Sequence, residues 1–296
     1  MTEKIKEIIS KILPKKIFNL LILVRRKTYV TFRNNYYENK LKKFKKAVFK
    51  TIKYKNINYS LKIDPINWYI DNKIRIYWIY EEETFKIMYE NVKKWDVCID
   101  VWANIGLFTN FLPCLVWENW FVYWFEPIKS VYEQNLSSIK KNEFKNVKLF
   151  NSACSDIKWE ANIHVNYENI WWSSIVDSNA RKWSHIEKIK TVRLDDILCD
   201  VEKINFMKID TEWFELNVLK WAMKIIKKHH PKIYMEYVPS LHKEQKDSKE
   251  LLGLIKEIYN YIYIAEENET LDLTKENDNK KFFELQSSKW VNILMY

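Results

Sequence analysis

Residues 96–106 read DVCIDVWANIG, and this stretch decides the fold. VCIDV has the length and the Val/Ile content of a buried strand. A short polar turn ending in glycine follows it. GLFTNFLPCLV at 106–116 then reads as a helix. A strand that passes through such a turn into a helix is the opening unit of many ligand-binding α/β sheets. The unit then recurs. FVYWFE (121–126) leads to the helical KSVYEQNLSSIKKN (129–142), and VKLFNSA comes at 147–153. INFMKID (204–210) leads to FELNVLKWAMKIIKK (214–228), and KIYMEY (232–237) to KELLGLIKEIYN (249–260), with YIYIAEE and VNILMY last. Repeated alternation of strand and helix predicts the α/β class, with a doubly wound, mostly parallel sheet.

Upstream the pattern is different. EKIKEIISKIL (3–13) and ENKLKKFKKAVFK (38–50) place apolar residues three and four apart, so basic helices are expected up to about residue 50. Residues 52–80 alternate, as in INYSLKI, and predict short strands. EEETFKIMYENVKK (81–94) is a helix opened by acids, which suits its positive N-terminal end. The expected division is an extension over 1–80, basic, helical and with short strands, and a main domain over 81–296.

No run approaches the ~18 apolar residues of a spanning helix. Residues 17–24 form an apolar run, interrupted by Asn19, between Lys15–Lys16 and Arg25–Arg26. They read as a helix packed on the main domain, with peripheral contact at a membrane face as the second reading. No small-residue cleavage site follows, so a cytoplasmic protein is expected. The net charge is +10, but Lys is interleaved with Glu and Asp along the chain. That is a solvated surface rather than a nucleic-acid footprint. Cys98, Cys114, Cys154 and Cys199 have no CxxC spacing and read as reduced core thiols. The five histidines form no ligand pattern, so no metal site is expected. His229–His230 precede Pro231 and read as residues of a helix end.

The composition carries an anomaly. The chain has 14 Trp and 2 Gly, where about 7% Gly, roughly 20 residues, is ordinary. The tryptophans stand where turns call for glycine: VWEN and ENWF near 116–121, IWWSS at 170–174, and Trp102 inside the opening turn. A gene in which UGA specifies Gly, translated as though UGA specified Trp, produces this pattern.

Ligands of such sheets bind beyond the carboxyl ends of the strands, near the point where strand order reverses. The turn from Asp100 to Gly106 is the first candidate. Glu126 closes a strand about 20 residues later, the spacing of an acid that accepts from ribose hydroxyls. Asp210 closes another. Each acid alone reads equally as a helix cap or a surface carboxylate; the ordered set points to a cofactor crevice.

With Trp read as Gly, the series DVCIDVWANIGLFT, NWFVYWFEP, NSACSD, IWWSSI, KTVRLDDIL and MKIDTEWFELNVLKWA resembles the FkbM family of S-adenosylmethionine-dependent methyltransferases, from about residue 96 to 236. The resemblance implies a Rossmann-like class I methyltransferase fold with S-adenosylmethionine as cofactor. It implies that Asp100 and the turn through Trp102, Asn104 and Gly106 hold the methionine end, that Glu126 takes the ribose, and that Ser155 and Asp156 sit near the adenine. It implies that Asp210, Glu212 and Glu236 line the transfer cavity, with His185 a further candidate base. The implied product is an O-methylated hydroxyl on a sugar, a glycan or a small natural product. Two other readings stand beside it. One is a degenerate, non-catalytic α/β domain that binds a partner through exposed aromatics. The other is a dinucleotide or nucleotide-sugar enzyme, disfavoured because no G-x-G-x-x-G appears even with Trp read as Gly.

Overall fold

The computed structural model describes residues 46–64, 71, 73–74, 81–155, 159–166, 170, 173–175, 185–211, 214–237, 245–285 and 291–296. The chain divides into two compact units, Met1–Lys46 and Ala47–Tyr296. The expected N-terminal helices lie outside the described residues except at 46–50, where the helix reading is overturned, because β1 (Val48–Tyr54) begins there and pairs antiparallel with β2 (Ile57–Ile63).

Next come α1 (Glu82–Asn91), β3 (Cys98–Val101), α2 (Leu112–Leu115), β4 (Val122–Phe125), α3 (Lys129–Asn142), β5 (Val147–Phe150), β6 (Ala153–Cys154), β7 (Trp159–Val165) and β8 (His185–Val192). Then follow α4 (Leu194–Ile197), β9 (Phe206–Ile209), α5 (Glu215–Lys220), α6 (Met223–His229), β10 (Lys232–Tyr237), α7 (Gln245–Lys256), β11 (Tyr261–Ile264), β12 (Glu269–Asp272), α8 (Glu276–Glu284) and β13 (Val291–Met295).

The main sheet runs β12-β11-β13-β10-β9-β3-β4-β5. Its central strands β10, β9, β3, β4 and β5 are mutually parallel, and β13 enters antiparallel to β10. From β3 the chain winds outward through β4 to β5, then returns to the other side of β3 with β9 and β10. The order therefore reverses between β3 and β9. Every residue of β3, β4 and β9 is buried, as expected of parallel strands covered on both faces. Ile99, Val101, Met207, Ile209, Ile233 and Ile293 are the centre of the core.

Helix α3 forms as the sequence predicts and turns a partly polar face inward. Asn142 accepts the Ser60 N–H at 2.7 Å and donates to the Ser60 carbonyl at 2.7 Å. Ser138 Oγ accepts the Lys62 N–H at 2.9 Å, and Gln134 donates to the Lys62 carbonyl at 2.7 Å. Side chains thus satisfy the free edge of β2, which water or another strand must otherwise do.

Two predicted helices differ in the structure. The one expected over 106–116 is only Leu112–Leu115, with Pro113 in its first turn, because residues 104–111 are spent on turns. The one expected over 214–228 is split at Trp221–Ala222. Asp195 restarts it, since its carboxylate accepts the N–H groups of Ile225 at 3.0 Å and Lys224 at 3.3 Å. That is the bonding of an N-cap, supplied by a residue distant in sequence. β12 and α8 have no counterpart in the sequence reading. All four cysteines are free, as expected, although Cys199 is exposed rather than in the core.

Candidate active site

The turn after β3 is built by backbone geometry first. Trp102 (φ +70°), Asn104 (φ +51°) and Gly106 (φ +84°) are all left-handed. Glycine takes that region freely, Asn tolerates it, and for a bulky residue it is an outlier. At Gly106 a Cβ would lie 2.1 Å from Asn135 Oδ1 and 2.6 Å from Asn110 Nδ2, so only glycine fits. The N–H groups of Trp102 and Ala103 both donate to the Phe125 carbonyl at 2.9 Å, which locks the turn to the end of β4. Asn135, from α3, donates to the Asn104 carbonyl at 2.5 Å and clamps it from the other side.

Glu126 follows β4 and is fully buried. Its Oε2 accepts the Asn104 N–H at 2.8 Å and its Oε1 the Ile128 N–H at 2.8 Å. Burial pushes this carboxyl up to about 8, with the two N–H bonds pulling the other way. Each oxygen keeps a second lone pair for a ligand donor.

Asp100 is also fully buried. Thr109 donates to its Oδ2 at 2.6 Å, and the Lys208 ammonium lies 3.4 Å from its Oδ1. Burial raises this carboxyl above its ordinary value, while Lys208 and Thr109 draw it back. Lys208 stands opposite Asp100 in the β3–β9 register. Its Nζ reaches Asp210 Oδ2 at 3.2 Å. Asp210 keeps 27% of its side chain accessible, so among these carboxylates it is the one open to an incoming molecule. Just beyond, Glu215 Oε1 accepts from the Thr211 N–H at 2.9 Å and hydroxyl at 3.0 Å, closing the turn after β9.

The structure therefore brings Asp100, Trp102, Asn104, Gly106, Glu126 and Asp210 to the carboxyl ends of β3, β4 and β9, where strand order reverses. Ser155 lies just after β6, its N–H bonded to the Val192 carbonyl at 2.9 Å. Glu236 is half-buried in β10, and His185 is exposed at the start of β8. Asp156 and Glu212 lie outside the described residues. The sequence reading missed Lys208. Its signal was a lysine inside the otherwise apolar strand FMKI, a buried charge that demands a partner. Among the described residues no group of His, Cys, Asp and Glu could hold a metal ion, and no helix is long and apolar enough to cross a membrane.

The donor set suits S-adenosylmethionine. Asp210 offers a partly accessible carboxylate to a cationic ligand, and the left-handed turn lets a ligand come close to the backbone. Trp102 is the exception: a bulky side chain, only 4% accessible, stands at a left-handed position of that turn.

The family model for the methyltransferase FkbM domain matches residues 100–267. Among solved structures, the chain is similar to the methyltransferase FkbM from Methylobacillus flagellatus KT at 18% identity and TM-score 0.42, over 69% of this chain and 44% of that one. It is similar to Aeropyrum pernix fibrillarin, solved with S-adenosyl-L-methionine, at 9% identity and TM-score 0.43, over 85% and 99%. It is also similar to a precorrin-6y C5,15-methyltransferase from Geobacter metallireducens GS-15 at 10% identity and TM-score 0.41, over 73% and 87%. The chain thus spans under half the length of the FkbM structure it matches. No curated protein matches it.

Proposed function

The chain belongs to the FkbM family of S-adenosylmethionine-dependent methyltransferases, and from that premise we propose that it methylates a hydroxyl oxygen on a sugar, a glycan or a small natural product. The supporting observation is Asp210: a partly accessible carboxylate at the strand-order reversal, held 3.2 Å from Lys208. S-adenosylmethionine supplies an electrophilic methyl group on a positive sulfonium. A hydroxyl is a weak nucleophile until a base takes its proton. On this proposal Asp210 accepts that proton and orients the acceptor oxygen, with Glu236 as a second candidate base. On the same proposal Asp100 and the 102–106 turn would hold the amino-acid end of the donor, Glu126 would accept from the ribose, and Ser155 would sit near the adenine. Positioning of the two reactants supplies much of the rate.

Tritiated S-adenosylmethionine offered with a panel of glycans, lipid-linked saccharides and hydroxylated small molecules tests the reading. Label recovered as a base-stable methyl ether supports it. Label on nitrogen or carbon across the panel would sink it.

Glu126 gives a pH prediction. With its carboxyl at about 8, the group carries a proton at neutral pH and must lose it to accept two hydroxyl donors. In the Trp102→Gly form, affinity for S-adenosylmethionine should therefore rise between pH 6.5 and 8.5, by up to about tenfold per pH unit below 8. The effect on folding has the opposite sign. A raised carboxyl stabilises the fold below its ordinary value of 4.5, and that contribution is lost as the pH rises through 8. Glu126→Ala should weaken binding roughly 10- to 150-fold, as expected for hydrogen bonds to a charged group. Calorimetric titration that finds pH-independent binding and an unchanged dissociation constant would remove Glu126 from the site.

The working protein, on this proposal, carries glycine at position 102 and at other Trp positions. The left-handed φ of Trp102 supports this. So do Trp95 and Trp117, 50% and 54% exposed on turns that precede β3 and β4, with ring centroids 6.2 Å apart. The same pair is what favours the second reading, a domain that binds through aromatics. Peptide mass spectrometry of the protein from its native source reads Gly or Trp directly, and decides between them.

A further inference from the structure

Lys208 sits where few lysines do. It lies in the middle of β9, a central strand, with 5% of its side chain accessible. Its ammonium is 3.4 Å from Asp100 Oδ1 and 3.2 Å from Asp210 Oδ2, and 5.9 Å from the centre of the Phe108 ring. Asp100 belongs to the strand on one side of the strand-order reversal, and Asp210 follows the strand on the other. We infer that Lys208 is a positioning residue for methyl transfer: its ammonium is the shared countercharge of Asp100 and Asp210 and ties together the two strands flanking the donor crevice.

The inference rests on the methyltransferase reading only for its consequence in catalysis. Two carboxylates and one ammonium leave this cluster one negative charge. That single charge opposes the sulfonium of the methyl donor, and the uncharged thioether product no longer matches it. The charge pattern therefore holds donor better than product. Without Lys208, a buried Asp100 has no ionic partner, and an uncompensated buried carboxylate takes up a proton. Burial itself works to lower the ammonium of Lys208, but Asp100 and Asp210 outweigh it and the net shift is upward.

Other charged groups face the cluster. Glu81, ahead of α1, and Glu126, after β4, act on Lys208. Tyr234 of β10 is next to Lys208 in register and bonds Thr84 at 2.9 Å. Glu215 feels Asp210. All of these remain in a Lys208 variant, so a difference between the wild type and that variant isolates the lysine.

The test begins with unliganded protein. Thermal unfolding is followed from pH 5 to pH 8 for the wild type, Lys208→Met and the double variant Lys208→Met/Asp100→Asn. In Lys208→Met the folded state keeps a proton on Asp100 that the unfolded chain has lost, so stability falls as pH rises. The melting temperature of Lys208→Met, relative to wild type, should drop by roughly 5–15 °C more at pH 8 than at pH 5. Asp100→Asn in the same chain should abolish that slope. Lys208→Gln serves if Lys208→Met does not fold, and the same slope is expected of it. Parallel pH curves for wild type and variant would overturn the inference, as would a slope that persists in the double variant. Calorimetry with S-adenosylmethionine and S-adenosylhomocysteine in the Trp102→Gly background then reads the consequence. The Trp102→Gly protein should prefer the sulfonium form, and adding Lys208→Met should change that preference at least about fivefold. A Trp102→Gly protein that binds neither would refute the methyltransferase reading, while the unfolding curves still decide the role of Lys208.

Discussion

Replacing Trp102 with glycine is expected to turn a chain without measurable affinity for S-adenosylmethionine into one that binds it at about 1 µM. Against a detection limit near 1 mM, that is about 1,000-fold, or roughly 4 kcal/mol. The effect is steric. The indole is buried, in a turn whose neighbours Asp100 and Glu126 are fully buried carboxylates, and it is the largest side chain there. Stability should respond differently from affinity. Truncating a buried aromatic ordinarily costs about 3–5 kcal/mol. Relief of a left-handed conformation returns about 1–2 kcal/mol. The substitution should therefore cost less than an ordinary core truncation while it opens the site. Calorimetric titration and thermal unfolding of both forms check the two halves separately. Equal affinity in the two forms would show that position 102 does not border the cofactor.

The second large effect is expected at Asp210. Asp210→Asn keeps the size and shape of the side chain but removes the base. Turnover should fall about 10²–10⁴-fold, the usual contribution of a positioned proton acceptor. The dissociation constant of S-adenosylmethionine should stay within about threefold, because the donor end is held by Asp100 and the 102–106 turn. The competing account is that Asp210 only neutralises Lys208. On that account Asp210→Asn lowers the melting temperature and leaves single-turnover rates per folded molecule nearly unchanged. Single-turnover measurement in the Trp102→Gly background, with any acceptor that the labelling panel yields, separates the two.

Much of this architecture is legible in the sequence, and the exceptions have physical causes. The parallel strands were readable because burial on both faces gives largely apolar runs such as VCIDV and INFMKI. Helix α3 was readable because Lys129–Asn142 carries both a regular period and a polar exposed side. The strand start at Val48 was not. KKFKKAVFK satisfies a helical spacing, and only pairing with β2, which no local signal reveals, makes it extended. The short α2 was missed because Asn110, whose amide donates to the Gly106 carbonyl at 2.8 Å, spends residues on turn bonding that look helical by apolar period. At the site, the acids were found by their place at strand ends. Lys208 was not, because its meaning depends on Asp100, which the register sets opposite it across 108 residues of sequence.

That separation has a consequence for biogenesis. β3 and β9 become neighbours only after the whole intervening segment, with β4, α3, β5 and the β7–β8 pair, has left the ribosome. Contacts this distant in sequence close slowly, because the chain entropy of the loop is lost before the pairing forms. Until then β3 presents an unpaired, largely apolar edge, the kind that draws other chains into aggregates. A nascent chain truncated before Phe206 is therefore expected to need a chaperone even though its donor-side turn is fully synthesised, because the crevice, divided between the two strands, does not exist until β9 has emerged.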